Sequence, residues 1–120
     1  MNRERRTVLV VDDEPSLRLL CRVNLELEGH RVLEAGSVAA ARELLAAEPV
    51  DVILLDVHVG PDNGVDLLDD VEGLELPLRI VMLSGTSEIS PAVRARVSGV
   101  LGKPFALHEL VAAVSDEAVR

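Results

Sequence analysis

The sequence contains a single cysteine, Cys21, and no apolar run long enough to cross a membrane. One cysteine cannot form a disulfide within the chain, and apolar neighbours at helical spacing predict that Cys21 is a small buried side chain rather than a nucleophile. The basic residues near the start are followed by too few apolar residues for a signal peptide. We therefore expect a cytoplasmic protein.

Basic residues are also scarce. The chain has 12 lysines and arginines against 21 aspartates and glutamates, and its formal net charge is −9 at neutral pH. Without a concentrated basic stripe, there is no electrostatic reason to expect direct binding to nucleic acid or to an anionic membrane. Eleven of the 12 basic residues are arginine, so the only lysine, Lys103, is a candidate for a role that arginine cannot fill.

The apolar pattern predicts the fold class. Apolar residues make up 48% of the 120 residues, which suits one globular domain with one core. Short runs rich in valine, leucine and isoleucine at residues 7–11, 50–55 and 78–83 are too continuous for strands with one solvated face, and they predict buried parallel strands. Two weaker runs at residues 31–35 and 99–102 complete a set of five, the last assigned mainly from its place in the alternation of strands and helices. Helical patterns alternate with these runs, which predicts a doubly wound α/β sheet with helices on both faces.

The predicted helices have recognisable start and stop signals. Ser37 and Ser90 are predicted N-caps, Pro15 and Pro91 suit first helical positions, and Gly29 suits a helix stop. The helices are predicted at residues 15–28, 38–45, 65–71, 107–118 and, for about two turns, from residue 91.

Polar residues follow four of the five predicted strands. Asp12 and Asp13 follow the first strand, Asp56 the third, Ser84 the fourth and Lys103 the fifth. In an open parallel sheet, ligands bind at the carboxyl ends of the strands, so we expect these side chains to share one site. One lysine neutralises only part of the charge of three carboxylates, which favours a hard divalent cation such as Mg²⁺.

Taken one at a time, these residues have simpler interpretations. Asp12 and Asp13 also fit the N-terminal cap of a helix that begins at Pro15, where the helix dipole attracts negative charge. Asp56 and Ser84 each fit a turn at a strand end. The occurrence of all of them at the ends of predicted neighbouring strands favours the shared site.

In this order, the polar residues resemble the receiver domains of the bacterial two-component response regulators, the CheY-like family. The resemblance covers essentially the whole chain. It rests on Asp12 and Asp13, Asp56, Gly64 eight residues later, Ser84, and Lys103, Pro104 and Phe105. It implies a flavodoxin-like sheet with strand order 2-1-3-4-5 and a single receiver domain over residues 1–120, with no output domain.

The resemblance also implies a role for each matching residue. Asp56 would accept a phosphoryl group from the phosphohistidine of a sensor histidine kinase or a histidine phosphotransfer protein. Ser84 would hydrogen-bond the phosphoryl oxygens, Lys103 would neutralise them, and the Lys103–Pro104 bond is expected to be cis. A carboxylate is an adequate nucleophile for this transfer, which depends on in-line positioning and charge neutralisation.

Mg²⁺ is the implied cofactor. Asp13 would bind it directly and Asp12 directly or through water, with Asp56 and the backbone carbonyl of His58 as further ligands. The implied protein is a signalling domain rather than a multi-turnover enzyme, with at most self-phosphotransfer and autodephosphorylation. It would act on an unknown downstream protein, and a homodimer is compatible with the resemblance.

The chain departs from the family pattern at the usual signalling surface. Val100 occupies the position, three residues before the lysine, where the family usually has tyrosine or phenylalanine. The interval from Ser84 to Lys103 is 19 residues, which is short by about three residues, or nearly one helical turn. Gly60 replaces a common proline, with Pro61 one place later.

These departures leave two functions open. The chain is either a phosphoacceptor that signals through another rearrangement, or a pseudo-receiver that binds proteins independently of phosphorylation. A flavin or nucleotide binder is disfavoured, because carboxylates lie where a phosphate-binding glycine loop would be needed.

Further expectations concern isolated side chains. We expect His30 and His108 at the surface, while His58 either flanks the site and influences access of water or is simply exposed. Phe105, the only aromatic residue, is expected to anchor the last helix in the core. The acidic residues between positions 62 and 72 are expected to form a solvated helix face.

Overall fold

The computed structural model describes residues 5–74, 78–85 and 89–115. In chain order, the strands are β1 (Thr7–Val11), β2 (Arg31–Ala35), β3 (Val52–Asp56), β4 (His58–Val59), β5 (Asp62–Asn63), β6 (Arg79–Ser84) and β7 (Gly99–Gly102). The helices are α1 (Pro15–Leu27), α2 (Val38–Ala47), α3 (Val65–Leu74), α4 (Pro91–Arg94) and α5 (Leu107–Ser115).

The main sheet confirms the predicted fold class. Its five parallel strands lie in the order β2-β1-β3-β6-β7, which is 2-1-3-4-5 when the five predicted strands are counted alone. The short strands β4 and β5 form a separate antiparallel hairpin. This hairpin was not predicted, because two-residue strands carry no periodic signal. Gly60 in its turn has a φ of 62°, a left-handed conformation that favours glycine.

The element boundaries differ from the predictions by a few residues. The helix caps at Ser37 and Ser90 are confirmed, with each hydroxyl accepting a backbone hydrogen bond three residues later. The prediction of about two turns for α4 is wrong: within the described residues this helix has four residues, a single turn. Val97 and Val100 continue the apolar pattern, but Val97 lies in the bend before β7 and Val100 lies within β7. The predicted end of the last helix, up to residue 118, lies outside the described residues.

The continuous apolar runs are explained by a core on each face of the sheet. Leu9 and Val11 pack with α2, α3 and α4, whereas Val8 and Val10 pack with α1 and α5. Because successive side chains point to opposite faces and both faces are covered, every position in the run is apolar. Cys21 is fully buried in the second core, as predicted, and burial raises the pKa of its thiol to about 11.

Phe105 and the acidic residues of α3 lie where the sequence predicts them. Phe105 is half-buried against the core on the α1 and α5 face. The acidic side chains along α3 are exposed, and some of them form ion pairs with arginines: Arg96 with Asp69 and Glu72, and Arg42 with Asp70. Among the described residues, none of the helices combines the length and apolar character that a membrane crossing requires.

The prediction that His30 lies at the surface is wrong. His30 is only 4% exposed, and its Nδ1 accepts a hydrogen bond of 3.1 Å from the backbone N–H of Arg6. The turn at Gly29 has a φ of 95°, and the backbone N–H of His30 donates to the carbonyl of Leu25. This local turn places the imidazole against the chain that enters β1. His108 is exposed, as predicted.

The start of α3 packs directly on the end of β3. The backbone N–H of Gly64 donates to the carbonyl of Val57 at 2.6 Å. A Cβ atom added to Gly64 would lie 2.1 Å from the backbone oxygen of Asp56, closer than any non-bonded contact allows. Glycine at this position therefore permits the approach that fixes the backbone of Asp56.

We predict that Gly64→Ala lowers the free energy of unfolding by roughly 2 kcal/mol, because the new methyl group displaces backbone rather than a flexible side chain. Gly73→Ala is the matched control. A Cβ at Gly73 meets nothing within 4 Å, and alanine in this helix is expected to stabilise by up to about 1 kcal/mol. Urea unfolding of both variants measures the difference, and equal effects would contradict the role given to Gly64.

Candidate functional site

The carboxyl ends of β1 and β3 bring three carboxylates together. One oxygen from each of Asp12, Asp13 and Asp56 lies within 4.8 Å of the others. Asp12 is 1% exposed, the side chain of Asp56 is 15% exposed, and Asp13 is open to solvent. At these distances and with this burial, the charges repel one another unless a cation offsets them.

Lys103 supplies one positive charge to this cluster. Its Nζ donates to Oδ2 of Asp12 at 2.9 Å and to Oδ2 of Asp56 at 3.1 Å. The backbone N–H of Lys103 donates to the carbonyl of Ser84 at 2.7 Å, which ties the loop after β7 to the end of β6. The Lys103–Pro104 peptide bond is cis, as predicted. The single lysine of the chain therefore bridges two of the predicted site carboxylates.

The hydrogen bonds around Asp12 do not support its interpretation as a helix cap. The N-cap residue of α1 is Glu14, whose side chain makes no capping hydrogen bond. Oδ1 of Asp12 instead accepts from the backbone N–H of Glu14 at 2.9 Å, and the backbone N–H of Asp12 donates to the carbonyl of Ala35 at 3.1 Å. Asp12 is thus held at the sheet edge with its carboxylate facing Lys103.

One ammonium group compensates the charge of these three carboxylates only in part. Burial is the largest influence on Asp56 and raises the pKa of its carboxyl, with the charge of Asp12 adding to the effect and Lys103 opposing it. Burial lowers the pKa of Lys103, but the two carboxylates more than offset this and raise it overall. Lys103 therefore stays an ammonium ion, while the charged form of Asp56 carries a net penalty.

Ser84 and His58 lie beside this cluster in different environments. Ser84 ends β6, is 3% exposed and follows Leu83, the register partner of Asp56. The backbone of His58 opposes, as a minor influence, the rise in the pKa of the Asp56 carboxyl. The predicted role of its carbonyl as a metal ligand stays a prediction.

The side chain of His58 is exposed, and it lines a pocket of about 330 Å³ between the β4-β5 hairpin and α4. Apolar side chains form much of the remaining wall: Val57, Val65, Met82, Ile89 and Val93. An exposed His58 two residues after Asp56 fits both expectations, a side chain that flanks the site and one that is simply exposed.

The donor set suits a hard cation. Mg²⁺ prefers carboxylate and carbonyl oxygens and is usually held by one or two carboxylates plus water. Oδ2 of Asp12 and Oδ2 of Asp56 contact Lys103, whereas the Asp13 carboxylate has no hydrogen bond or ion pair within the described parts of the chain. The exposed Asp13 is therefore available as a direct ligand, with Asp12 and Asp56 beside it.

The sequence did not single out Arg18, although it lies against this cluster. Its guanidinium Nη1 donates to the backbone carbonyl of Asp12 at 2.7 Å. An arginine on an amphipathic helix is typical of a solvated face, so nothing in the local pattern indicates this contact. Only the position of α1 against the end of β1 brings the two together.

A doubly wound sheet in this order, with an acidic cluster and a lysine at the carboxyl ends of its strands, defines a CheY-like receiver domain. The family model for the response regulator receiver domain matches residues 8–115. The chain belongs to this family, the receiver domains of two-component response regulators.

The curated relatives are longer proteins of the same kind. The transcriptional regulatory protein KdpE of Mycobacterium tuberculosis is 34% identical over 108 residues, covering 88% of this chain and 47% of KdpE. The DNA-binding transcriptional regulator NtrC of Azospirillum brasilense is 33% identical over 111 residues, covering 90% of this chain and 23% of NtrC. The chain therefore spans about half of one relative and about a quarter of the other.

Solved structures show the same architecture. A putative response regulator from Chloroflexus aurantiacus is 28% identical, with a TM-score of 0.85 and coverage of 98% of this chain and 100% of that one. A response regulator from Burkholderia pseudomallei, solved with a phosphorylated aspartic acid, a calcium ion and citrate, is 27% identical, with a TM-score of 0.81 and coverage of 93% and 68%.

We predict that Asp56→Asn raises the free energy of unfolding in Mg²⁺-free buffer at neutral pH. The raised pKa of Asp56 means that its charged form opposes folding, and asparagine removes that charge. The penalty is present above the raised pKa and disappears as the pH falls below the ordinary aspartate range, where the carboxyl is neutral in both states.

Urea unfolding at several pH values measures this effect. Glu43→Gln, at an exposed position on α2, is the control, and its effect is expected within about 0.5 kcal/mol of zero. A lower stability of Asp56→Asn at neutral pH would show that Lys103 already compensates the cluster fully.

Proposed function

We propose that this chain is the phosphoacceptor of a two-component pathway, with Asp56 receiving a phosphoryl group from a phosphohistidine. The observation that carries the proposal is the contact of one ammonium, Lys103, with both Asp56 and Asp12 at the edge of the sheet. A receiver needs a carboxylate nucleophile beside fixed positive charge, and this cluster supplies both.

In the proposed transfer, a carboxylate oxygen of Asp56 attacks phosphorus in line with the departing histidine nitrogen. The new O–P bond forms as the P–N bond breaks, and the electron pair returns to the imidazole. Lys103 moves from Asp56 Oδ2 to a phosphoryl oxygen, and the Ser84 hydroxyl donates to another. Since the product carries more negative charge than the carboxylate it replaces, these donors stabilise the phosphorylated form.

Asp12, Asp13 and Asp56, with the backbone carbonyl of His58, would hold Mg²⁺. When bound, Mg²⁺ supplies charge neutralisation at the phosphoryl oxygens. The chain's own contribution is to hold the three carboxylates together at one edge of the sheet. We propose a stoichiometric acceptor, not a multi-turnover enzyme, with autodephosphorylation as its only further reaction.

A pseudo-receiver that binds proteins without phosphorylation is the second candidate, and the structure of the fourth-helix region favours it. Val100 is half-buried against the core beside its register partner Met82, and α4 is a single turn. An aliphatic side chain at Val100 has no hydroxyl or ring to move between two environments. If Asp56 is phosphorylated, a part of the chain other than Val100 must change conformation in response.

We predict that the chain gains the mass of one phosphoryl group when incubated with Mg²⁺ and acetyl phosphate, because the site needs only a small donor and the metal. Intact-protein mass spectrometry measures the gain. Asp56→Asn and a sample with EDTA are the controls, and both are expected to show none. An unmodified chain that is folded and binds Mg²⁺ would support the pseudo-receiver instead.

The surface of α1 is a proposed docking area for the phosphohistidine protein. Leu20 is 40% exposed and lines a pocket of about 320 Å³ with Leu17, Lys103, Pro104 and Phe105. This pocket therefore shares Lys103 with the acidic site. Further exposed apolar side chains, Leu19 and Val23, lie within one turn of Leu20 on the same helix. Exposed apolar surface of this kind is typical of an interface, and its pocket includes Lys103, which contacts Asp56.

We predict that Leu20→Ser slows transfer from a phosphorylated histidine kinase by about tenfold, because it removes an apolar contact next to the site. The rate with acetyl phosphate is expected to stay unchanged, since this donor needs no docking. The kinase is chosen from a purified panel by transfer to the unaltered chain. Leu27→Ser, at the far end of α1, is the control, and equal slowing with both donors would contradict the docking role.

A further inference from the structure

Arg18 connects α1 to the backbone of the acidic site. Its Nη1 donates to the carbonyl oxygen of Asp12 at 2.7 Å, and its Nε donates to Oε1 of Glu34 at 3.1 Å. Its side chain is only 19% exposed. The guanidinium is therefore held between a strand of the sheet and the peptide that follows β1.

Neighbouring residues fix the position of this guanidinium. Arg22 donates to the other oxygen of Glu34, so that the carboxylate is held from both sides. Gly36 lies under Arg18, and a Cβ atom at this position would be 3.0 Å from Nη1. Any larger residue at Gly36 would push the guanidinium away. Because Glu34 balances its charge, the contribution of Arg18 to the site is geometric more than electrostatic.

The carbonyl that Arg18 holds belongs to the peptide group between Asp12 and Asp13. The other contacts of Asp12 hold its N–H and its carboxylate. The Asp13 carboxylate is exposed and has no recorded partner in the part of the chain that the structure describes. Since a peptide group is planar, fixing its oxygen also fixes the direction in which the chain continues to Asp13.

We propose that Arg18 is a positioning residue for the metal site. By holding the carbonyl of Asp12, it keeps the Asp13 carboxylate beside those of Asp12 and Asp56 and so increases the affinity for Mg²⁺. The proposal rests on the proposed function, in which this cluster binds Mg²⁺. Outer residues that orient metal ligands commonly change metal affinity without touching the ion.

The test is a Mg²⁺ titration of the isotopically labelled chain, followed by the backbone amide NMR signal of Asp13. Arg18→Met keeps an unbranched, partly apolar side chain but removes both donors. We expect it to raise the dissociation constant for Mg²⁺ by about tenfold. We also expect the Asp13 amide signal to move before any metal is added.

Arg22→Met is the matched control, because Arg22 contacts the same glutamate on the same helix but not Asp12. Its Mg²⁺ affinity is expected to stay within about twofold of the unaltered chain. Urea unfolding of both variants measures any general loss of stability. If Arg18→Met does not fold, Glu34→Gln replaces it, since it loosens the guanidinium but leaves Arg18 present, and a smaller loss of affinity is expected.

The possible results distinguish a failure of the positioning role from a failure of the proposed metal site. Arg18→Met, or Glu34→Gln where that variant replaces it, can bind Mg²⁺ saturably with the same dissociation constant as the unaltered chain. This result overturns the positioning role alone. Equal weakening of Mg²⁺ binding by Arg18→Met and Arg22→Met also overturns it, because the effect then comes from a general loss of contact between α1 and β2. No saturable binding by the unaltered chain overturns the metal site itself, and the positioning role with it.

Discussion

The repulsion among three carboxylates at one edge of the sheet is the constraint on which the site depends. Asp12 is almost fully buried, and Asp56 is mostly buried, so water screens their charges poorly. Lys103 relieves part of this repulsion by contacting both. The remaining repulsion among the carboxylates can be reduced by a divalent cation or by protonation of Asp56.

The scaffold keeps these charges together against their repulsion. Parallel pairing of β1 with β3 and of β3 with β6 brings the strand ends to one edge, and apolar cores on both faces hold the sheet in place. Close backbone contacts then set the final positions. Gly64 allows α3 to approach Asp56, and Arg18 holds the peptide that carries Asp13. Gly64 and Arg18 thus contribute to the geometry of the site through backbone contacts.

The region that normally reports phosphorylation is the least typical part of the molecule. α4 is a single turn, and Arg96, which follows it, forms ion pairs with Asp69 and Glu72 on α3. Val100 packs in the core where an aromatic switch is usual in the family. A pocket lined by His58, Met82 and Val93 lies between the β4-β5 hairpin and α4.

The sequence by itself determined the five strands, the buried character of the three long apolar ones and the polar residues that follow four of them, because apolar runs and strand-end chemistry are local signals. Only the tertiary structure decided the burial of His30, the single turn of α4 and the contact between Arg18 and Asp12. Each of these depends on how separate elements pack. A histidine in a turn, a short apolar stretch and an arginine on a helix look the same in the sequence whether or not another element covers them. Packing over long sequence separations selects among those outcomes, and no local pattern records it.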